Sequence, residues 1–136
     1  MTILHELANL GQAIWLDYIR RSFMASGELQ NLITMGLRGM TSNPSIFEKA
    51  IAGSSDYDLQ ILELVRQGKD AAEIYEALAI TDIQQAADLL RPVYESTAGA
   101  DGYVSLEVSP NLAQDSLGTF EEAQRLWKAV NRPNLM

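Results

Sequence analysis

The chain has 136 residues, of which 47% are hydrophobic and 21% charged, and this composition is typical of one globular domain rather than a disordered segment. The formal net charge of −8 argues against a general nucleic-acid binder, because that function requires a basic face that neutralises phosphates. Cysteine is absent, so disulfides and thiolate-bound zinc are excluded. We also expect no metal and no other cofactor. The sequence has neither a recognisable signal peptide nor a membrane-spanning run, which predicts a cytoplasmic protein without a membrane partner.

Helical and strand-like patterns alternate along the chain. Strand-like segments are short apolar runs, whereas helical segments carry apolar residues every three or four positions. Ser55, Thr81 and Thr119 are each followed by an acidic residue or glutamine three positions on, which predicts that each caps the start of a helix. In chain order, the predicted elements are a helix over residues 3–10, a strand over 13–16, a helix over 18–34 broken near 26–27, a strand over 37–41, helices over 45–52, 57–67 and 70–94, a strand over 103–108, a helix over 120–130 and the start of a fourth strand at 133–136.

Strands joined by long helical connections predict right-handed crossovers and a parallel sheet, and therefore an α/β fold. A closed eight-stranded barrel needs roughly 250 residues, and an open doubly wound sheet usually has about five strands. Three strands and the start of a fourth fall short of both architectures. We therefore expect residues 1–136 to form a single incomplete domain.

Polar residues follow each of the predicted strands. Asp17 comes directly after the first strand, Asn43 follows the second, and Glu107 stands near the end of the third. Two carboxylates and an amide suit proton transfer together with orientation of a hydroxylated substrate. Any one of them could equally cap a helix or solubilise a loop, but together they favour a site at the carboxyl edge of the sheet, in one shared cavity. By contrast, Arg20 and Arg21 are expected on a solvated helix face.

Several segments carry a resemblance to a known family. Residues 39–45, GMTSNPS, are similar to the G-x-T-[TS]-N-P-[ST] motif of transaldolases. Residues 15–17 (WLD) and 104–108 (VSLEV) resemble the first and third strands of that family. Residues 46–51 (IFEKAI) and 56–58 (DYD) resemble its larger bacterial form, which has extra helices between strands two and three. The similarity is correctly ordered and covers nearly the whole chain.

The resemblance implies the N-terminal portion of a (β/α)8 TIM barrel, with three to four parallel strands and a helix-rich insertion after strand two. It also implies an enzyme of the non-oxidative pentose phosphate pathway. Such a transaldolase transfers a dihydroxyacetone unit from sedoheptulose 7-phosphate to glyceraldehyde 3-phosphate, giving erythrose 4-phosphate and fructose 6-phosphate through a lysine Schiff base.

The resemblance also implies roles for individual residues at the matching positions of this chain. The resemblance implies that Asp17 shuttles the proton during carbon–carbon cleavage and that Glu107 acts through a water molecule. Asn43 would orient the bound dihydroxyacetone unit, with Thr41 and Ser42 beside it as substrate-binding residues.

The Schiff-base lysine of the family would fall on the fourth strand, beyond Met136. The three lysines of the chain, Lys49, Lys69 and Lys128, occupy helical segments instead. We therefore expect the chain to be inactive by itself. We also expect self-association, or pairing with the missing half of the barrel, through an uncovered inner face that presents Ile14, Leu16, Met40 and Val104 or Leu106.

Two alternative interpretations remain open from the sequence. The first is a self-contained helical interaction module without catalysis, in which the strand-like runs are buried helix. The second is another class I aldolase-type barrel, such as a relative of fructose-6-phosphate aldolase, although the long helical insertion argues against it.

Overall fold

A parallel sheet of three short strands lies at the centre of the computed structural model, which describes all 136 residues. The order β1-β2-β3 follows the chain, as it does at the start of a (β/α)8 barrel. Strand β1 comprises Trp15–Asp17, β2 Gly39–Thr41 and β3 Tyr103–Val104. Parallel neighbours joined by helical crossovers confirm the predicted α/β class. The alternative of a purely helical module is wrong, because its strand-like runs are strands.

The last residues of the chain add a fourth parallel contact beside β3. Leu135 forms a parallel bridge with Val104. The Val104 amide donates to the Asn134 carbonyl at 3.0 Å, and the Met136 amide donates to the Val104 carbonyl at 2.8 Å. The predicted start of a fourth strand is therefore confirmed.

Seven helices accompany the sheet, and none of them is both long and apolar enough to cross a bilayer. Their bounds are α1 Ile3–Asn9, α2 Arg21–Ala25, α3 Glu28–Thr34, α4 Pro44–Ala52, α5 Asp58–Arg66, α6 Ala71–Ser96 and α7 Ser116–Val130, with a 3₁₀ turn at Pro110–Leu112. Helix α6 begins at a capping box, in which the Asp70 side chain accepts from the Glu73 amide and the Glu73 side chain accepts from the Asp70 amide.

The three predicted caps inside the chain are wrong. The Thr81 hydroxyl donates to the carbonyl four residues earlier, at 2.8 Å, so it lies within a continuous α6. Helix α7 begins four residues earlier than predicted, because Asp115 caps it and Thr119 bonds to the Leu112 carbonyl instead. Ser55 does not cap α5, because Tyr57 occupies the N-cap position of that helix and no side chain caps it.

The two faces of the sheet differ in their surroundings. Met40 and Val104 are fully buried against the helices, and Leu16 packs on the same cluster. Side chains alternate along a strand, so the opposite face carries Trp15 and Asp17 on β1 and their partners on β2. The expected inner-face residues Leu16, Met40 and Val104 therefore belong to the covered face. Strand β1 is not buried on both faces, because it forms the edge of the sheet and its Asp17 is exposed.

Candidate active site

Asp17 and Thr41 meet where β1 and β2 end side by side. The register pairs these two residues directly, and the Thr41 hydroxyl donates to Asp17 Oδ1 at 2.7 Å. This distance is typical of a charge-assisted hydrogen bond from a hydroxyl to a carboxylate. Such a bond fixes the rotation of the carboxylate. Asp17 is exposed, so its second oxygen is available to a ligand.

Trp15 and Gly39 form the preceding pair on this face. A Cβ atom at Gly39 would lie within 2.5 Å of Trp15 Cδ2 and 2.9 Å of Trp15 Cζ2. Glycine therefore allows the indole ring to lie flat against the backbone of β2. The Trp15–Gly39 pair therefore precedes the Asp17–Thr41 pair on the same face of the sheet.

Ser42 is turned into the sheet rather than toward the open face. It is buried, and its hydroxyl donates to the Ser105 carbonyl at 2.7 Å while its amide donates to Ser105 Oγ at 3.3 Å. These two bonds hold the end of β2 against the residue that follows β3. The hydroxyl predicted to bind substrate is thus already engaged within the protein.

Asn43 occupies the cap position of α4. Its Oδ1 accepts from the Ile46 amide at 2.9 Å, and Pro44 fills the first helical position, where no amide hydrogen is needed. The cap uses the oxygen of the Asn43 amide, so the side-chain nitrogen is the group left to donate to a ligand.

Glu107 lies beyond the end of β3, not inside the strand as predicted. The ladder continues only through the amides of Ser105 and Leu106, which donate to the Met40 and Met136 carbonyls. Glu107 is exposed and lines a cavity of about 310 Å³, shared with residues of α6 and α7 that include Tyr75. Burial raises the pKa of the Tyr75 phenol, and the negative charge of Glu107 raises this pKa further.

Asp17 lines a different cavity, of about 350 Å³, together with Tyr18, Arg20 and Lys49. The structure therefore brings Asp17 and Thr41 together, but it places Asp17 and Glu107 in two cavities rather than the one we expected. The catalytic and substrate-binding roles of the five candidate residues stay a prediction. No three His, Asp or Glu side chains come together in a way that could hold a metal ion.

A buried charged cluster at the start of α2, shortly after Asp17 in the chain, was not predicted from the sequence. Asp82 and Tyr57 are both fully buried, and Arg21 donates to Asp82 from Nε at 2.9 Å. Arg20 pairs with Asp56 at 3.2 Å. The expectation of a solvated face is therefore wrong for Arg21, whereas the Arg20 side chain stays 36% exposed in its ion pair. The available signal was an aspartate on the apolar face of α6, where only a paired charge is tolerated.

The chain is similar in sequence to a known family and to several named relatives. The family model described as transaldolase/fructose-6-phosphate aldolase matches residues 14–136. The transaldolase of Trichodesmium erythraeum is 50% identical over 132 residues, which are 96% of this chain and 35% of the relative. The transaldolases of Thiobacillus denitrificans and Neisseria gonorrhoeae are 49% and 48% identical over the whole chain, which spans 38% and 39% of their lengths.

The chain therefore belongs to the transaldolase/fructose-6-phosphate aldolase family. It spans between 35% and 39% of the length of these curated relatives.

Proposed function

We propose that this chain supplies the acid–base and substrate-orienting residues of a transaldolase acting in the cytoplasmic pentose phosphate pathway. The reaction moves a dihydroxyacetone unit from sedoheptulose 7-phosphate to glyceraldehyde 3-phosphate and leaves erythrose 4-phosphate and fructose 6-phosphate. The observation that carries the proposal is the bond from the Thr41 hydroxyl to the Asp17 carboxylate, 2.7 Å long, on the open face of the sheet. Membership of the family and the names of the relatives support it.

Asp17 is the proposed proton shuttle. In an iminium formed between the ketose carbonyl and a lysine, the carbon–carbon bond breaks when a base removes the proton of the neighbouring hydroxyl. The bonding electrons then pass to the iminium nitrogen, and an aldehyde leaves. In the reverse sense the enamine attacks the acceptor aldehyde, and Asp17 returns the proton to the new alkoxide.

The other candidate residues complete this scheme. Asn43 donates from its side-chain nitrogen to an oxygen of the dihydroxyacetone unit, and Thr41 fixes the Asp17 carboxylate. Glu107 acts as acid and base on the water molecule that is lost when the iminium forms and regained when the iminium is hydrolysed. The scheme requires no cofactor.

The nucleophilic lysine comes, in this proposal, from outside these 136 residues. Lys49 and Lys128 are exposed on α4 and α7, and Lys69 pairs with Glu73 at 3.0 Å. A Schiff-base lysine is normally desolvated or placed beside another cation, which lowers its pKa. The chain would then be one incomplete barrel domain that is inactive alone and associates with a copy of itself or with the remaining barrel half.

A chimera tests the proposal. This chain is joined to the remainder of the Trichodesmium erythraeum transaldolase, in place of the segment it matches. We expect transfer activity from the chimera, and a loss of about 10²- to 10⁴-fold in kcat for Asp17→Asn, the usual contribution of a general acid–base group. Asp58→Asn, an exposed aspartate at the start of α5, is the matched control and should leave kcat unchanged.

Three results would contradict the proposal. An Asp17→Asn chimera with the activity of its Asp58→Asn control would remove Asp17 from the chemistry. A mass increase of the chain alone after incubation with fructose 6-phosphate and borohydride would place the nucleophile on Lys49, Lys69 or Lys128. Release of free dihydroxyacetone without an acceptor aldehyde would favour a fructose-6-phosphate aldolase, the other activity in the family description.

A further inference from the structure

Helix α2, which follows Asp17, does not cap itself. Arg20 occupies its N-cap position and offers no side-chain acceptor, although the first amides of a helix lack partners within it. Two residues from the start of the helical insertion satisfy them instead. The Arg21 amide donates to the Tyr57 hydroxyl at 3.2 Å, and the Ser22 amide donates to the Asp56 carboxylate at 3.0 Å.

Tyr57 is itself held by a buried charge. Its hydroxyl donates to Asp82 Oδ2 at 2.6 Å, and the Arg21 side chain donates to Asp82 Oδ1 at 2.9 Å. The Arg21 guanidinium also lies 4.5 Å from the centre of the Tyr57 ring. A fully buried carboxylate is tolerated only with such partners, so the three side chains form one interdependent unit, the Arg21–Tyr57–Asp82 cluster.

The cluster lies at the end of a short segment that begins at the candidate catalytic residue, Asp17. Between Asp17 and Arg20, Ile19 is fully buried, and Tyr18 packs edge-on against Phe23 with 5.2 Å between ring centres. The segment is thus fixed at one end by the β1–β2 pairing and at the other by the insertion.

We propose that Tyr57, Asp56 and Asp82 are positioning residues for Asp17. They fix the backbone that follows Asp17 and so hold its carboxylate in reach of Thr41. The inference rests on the proposed function, because it gives the helical insertion a part in the same acid–base step.

Tyr57→Phe tests the proposal with the smallest change. The substitution keeps the ring beneath Arg21 but removes the donor to Asp82 and the acceptor for the Arg21 amide. Tyr94→Phe is the matched control, since Tyr94 lies near the far end of α6 and packs against Tyr103.

Two measurements are made on each variant of the chain. We expect the Arg21 amide to exchange its hydrogen about tenfold faster in Tyr57→Phe, as loss of one hydrogen bond allows, while the Met40 amide in β2 is unchanged. We also expect the NMR chemical shift of the Asp17 carboxyl carbon at neutral pH to change in Tyr57→Phe and not in Tyr94→Phe, because the hydrogen bond from Thr41 is displaced. A merely structural cluster would alter the exchange without changing the Asp17 chemical shift.

An unchanged chemical shift of the Asp17 carboxyl carbon, or an equal change in the control, overturns the proposal. If Tyr57→Phe does not fold, Asp56→Ala replaces it, because alanine removes the acceptor for the Ser22 amide, and Ser22 is then the reporting amide. Neither measurement requires activity, so failure here is distinct from failure of Asp17→Asn in the chimera. In that chimera Tyr57→Phe should lower kcat with little change in KM, because positioning of Asp17 affects the chemical step.

Discussion

Gly102→Ala should destabilise the fold severely, because two independent features of the structure demand glycine at this position. The residue has a φ of +85°, in the left-handed region that side chains rarely adopt. A Cβ atom built there would lie 2.7 Å from Tyr94 Cα and 2.9 Å from the Leu90 carbonyl oxygen, and closer still to the Tyr94 amide nitrogen. All three are backbone atoms of α6, so no side-chain rotation can relieve the overlap.

The two costs can be estimated separately. The left-handed conformation costs an L-residue about 1–2 kcal/mol, and forcing extra volume into packed structure costs about 1–3 kcal/mol. The expected loss is therefore about 2–5 kcal/mol, a large part of a typical stability of about 5–15 kcal/mol. Displacement of residue 102 away from α6 would also disturb the sheet. The Gly102 amide donates to the Arg38 carbonyl, and the Gly102 carbonyl accepts from the buried Asn134 side chain.

Gly68→Ala is the control that separates the cost of steric overlap from the cost of the left-handed conformation. Gly68 has a similar φ of +78°, but nothing lies within 4 Å of a Cβ atom built there. It should therefore lose only the conformational cost of about 1–2 kcal/mol. Urea unfolding of both variants, followed by circular dichroism, measures the difference. Equal losses in the two variants would refute the argument from close approach.

Two further predictions concern the polar residues around the site. Burial raises the pKa of Asp82, against the opposing effects of Tyr57 and Arg21, so the folded state binds this proton more tightly than the unfolded state does. The stability of the wild type relative to Asp82→Asn should therefore fall as pH rises above the ordinary aspartate range, in urea titrations from acid to neutral pH. A relative stability that rises with pH would mean that the Arg21 pairing dominates. Asn43→Ala should lose about 1 kcal/mol with the cap of α4, whereas Asn43→Asp keeps an acceptor and should retain stability in the same titrations. In the chimera, however, Asn43→Asp should lose transfer activity because a carboxylate cannot donate, and full activity would contradict the proposed role of the amide nitrogen.

The features that the sequence predicted well are those set by neighbouring residues. Asn43 and Pro44 suit the first positions of a helix, and the start of α4 is at Pro44. The apolar run over residues 13–16 was predicted to be a strand, and β1 is found there with bounds Trp15–Asp17, so that Asp17 is its last residue rather than the residue after it. The caps predicted at Thr81 and Thr119 also rested on local spacing, but there the hydroxyls bond to carbonyls, so a pattern shared with genuine caps was misleading.

The Arg21–Tyr57–Asp82 cluster could not be predicted in the same way. Its bonds join residues separated by 36, 61 and 25 positions, and no local pattern pairs them. The position of Glu107 was misjudged for a related reason. A strand of good β-formers was expected to continue to Val108, whereas β3 ends at Val104 and the 3₁₀ turn starts at Pro110.

The helical insertion after β2 contacts the surroundings of both candidate acid–base residues. Near its beginning, Tyr57 bonds to the backbone that follows Asp17, and further along α6 Asp82 anchors the same cluster. At the start of α6, Tyr75 lines the cavity of Glu107. Asp17 ends β1 and Glu107 lies beyond the end of β3, in different cavities, so their separation depends on elements that touch the surroundings of both. The continuous helix α6 carries both Asp82 and Tyr75, and it therefore joins the surroundings of the two residues.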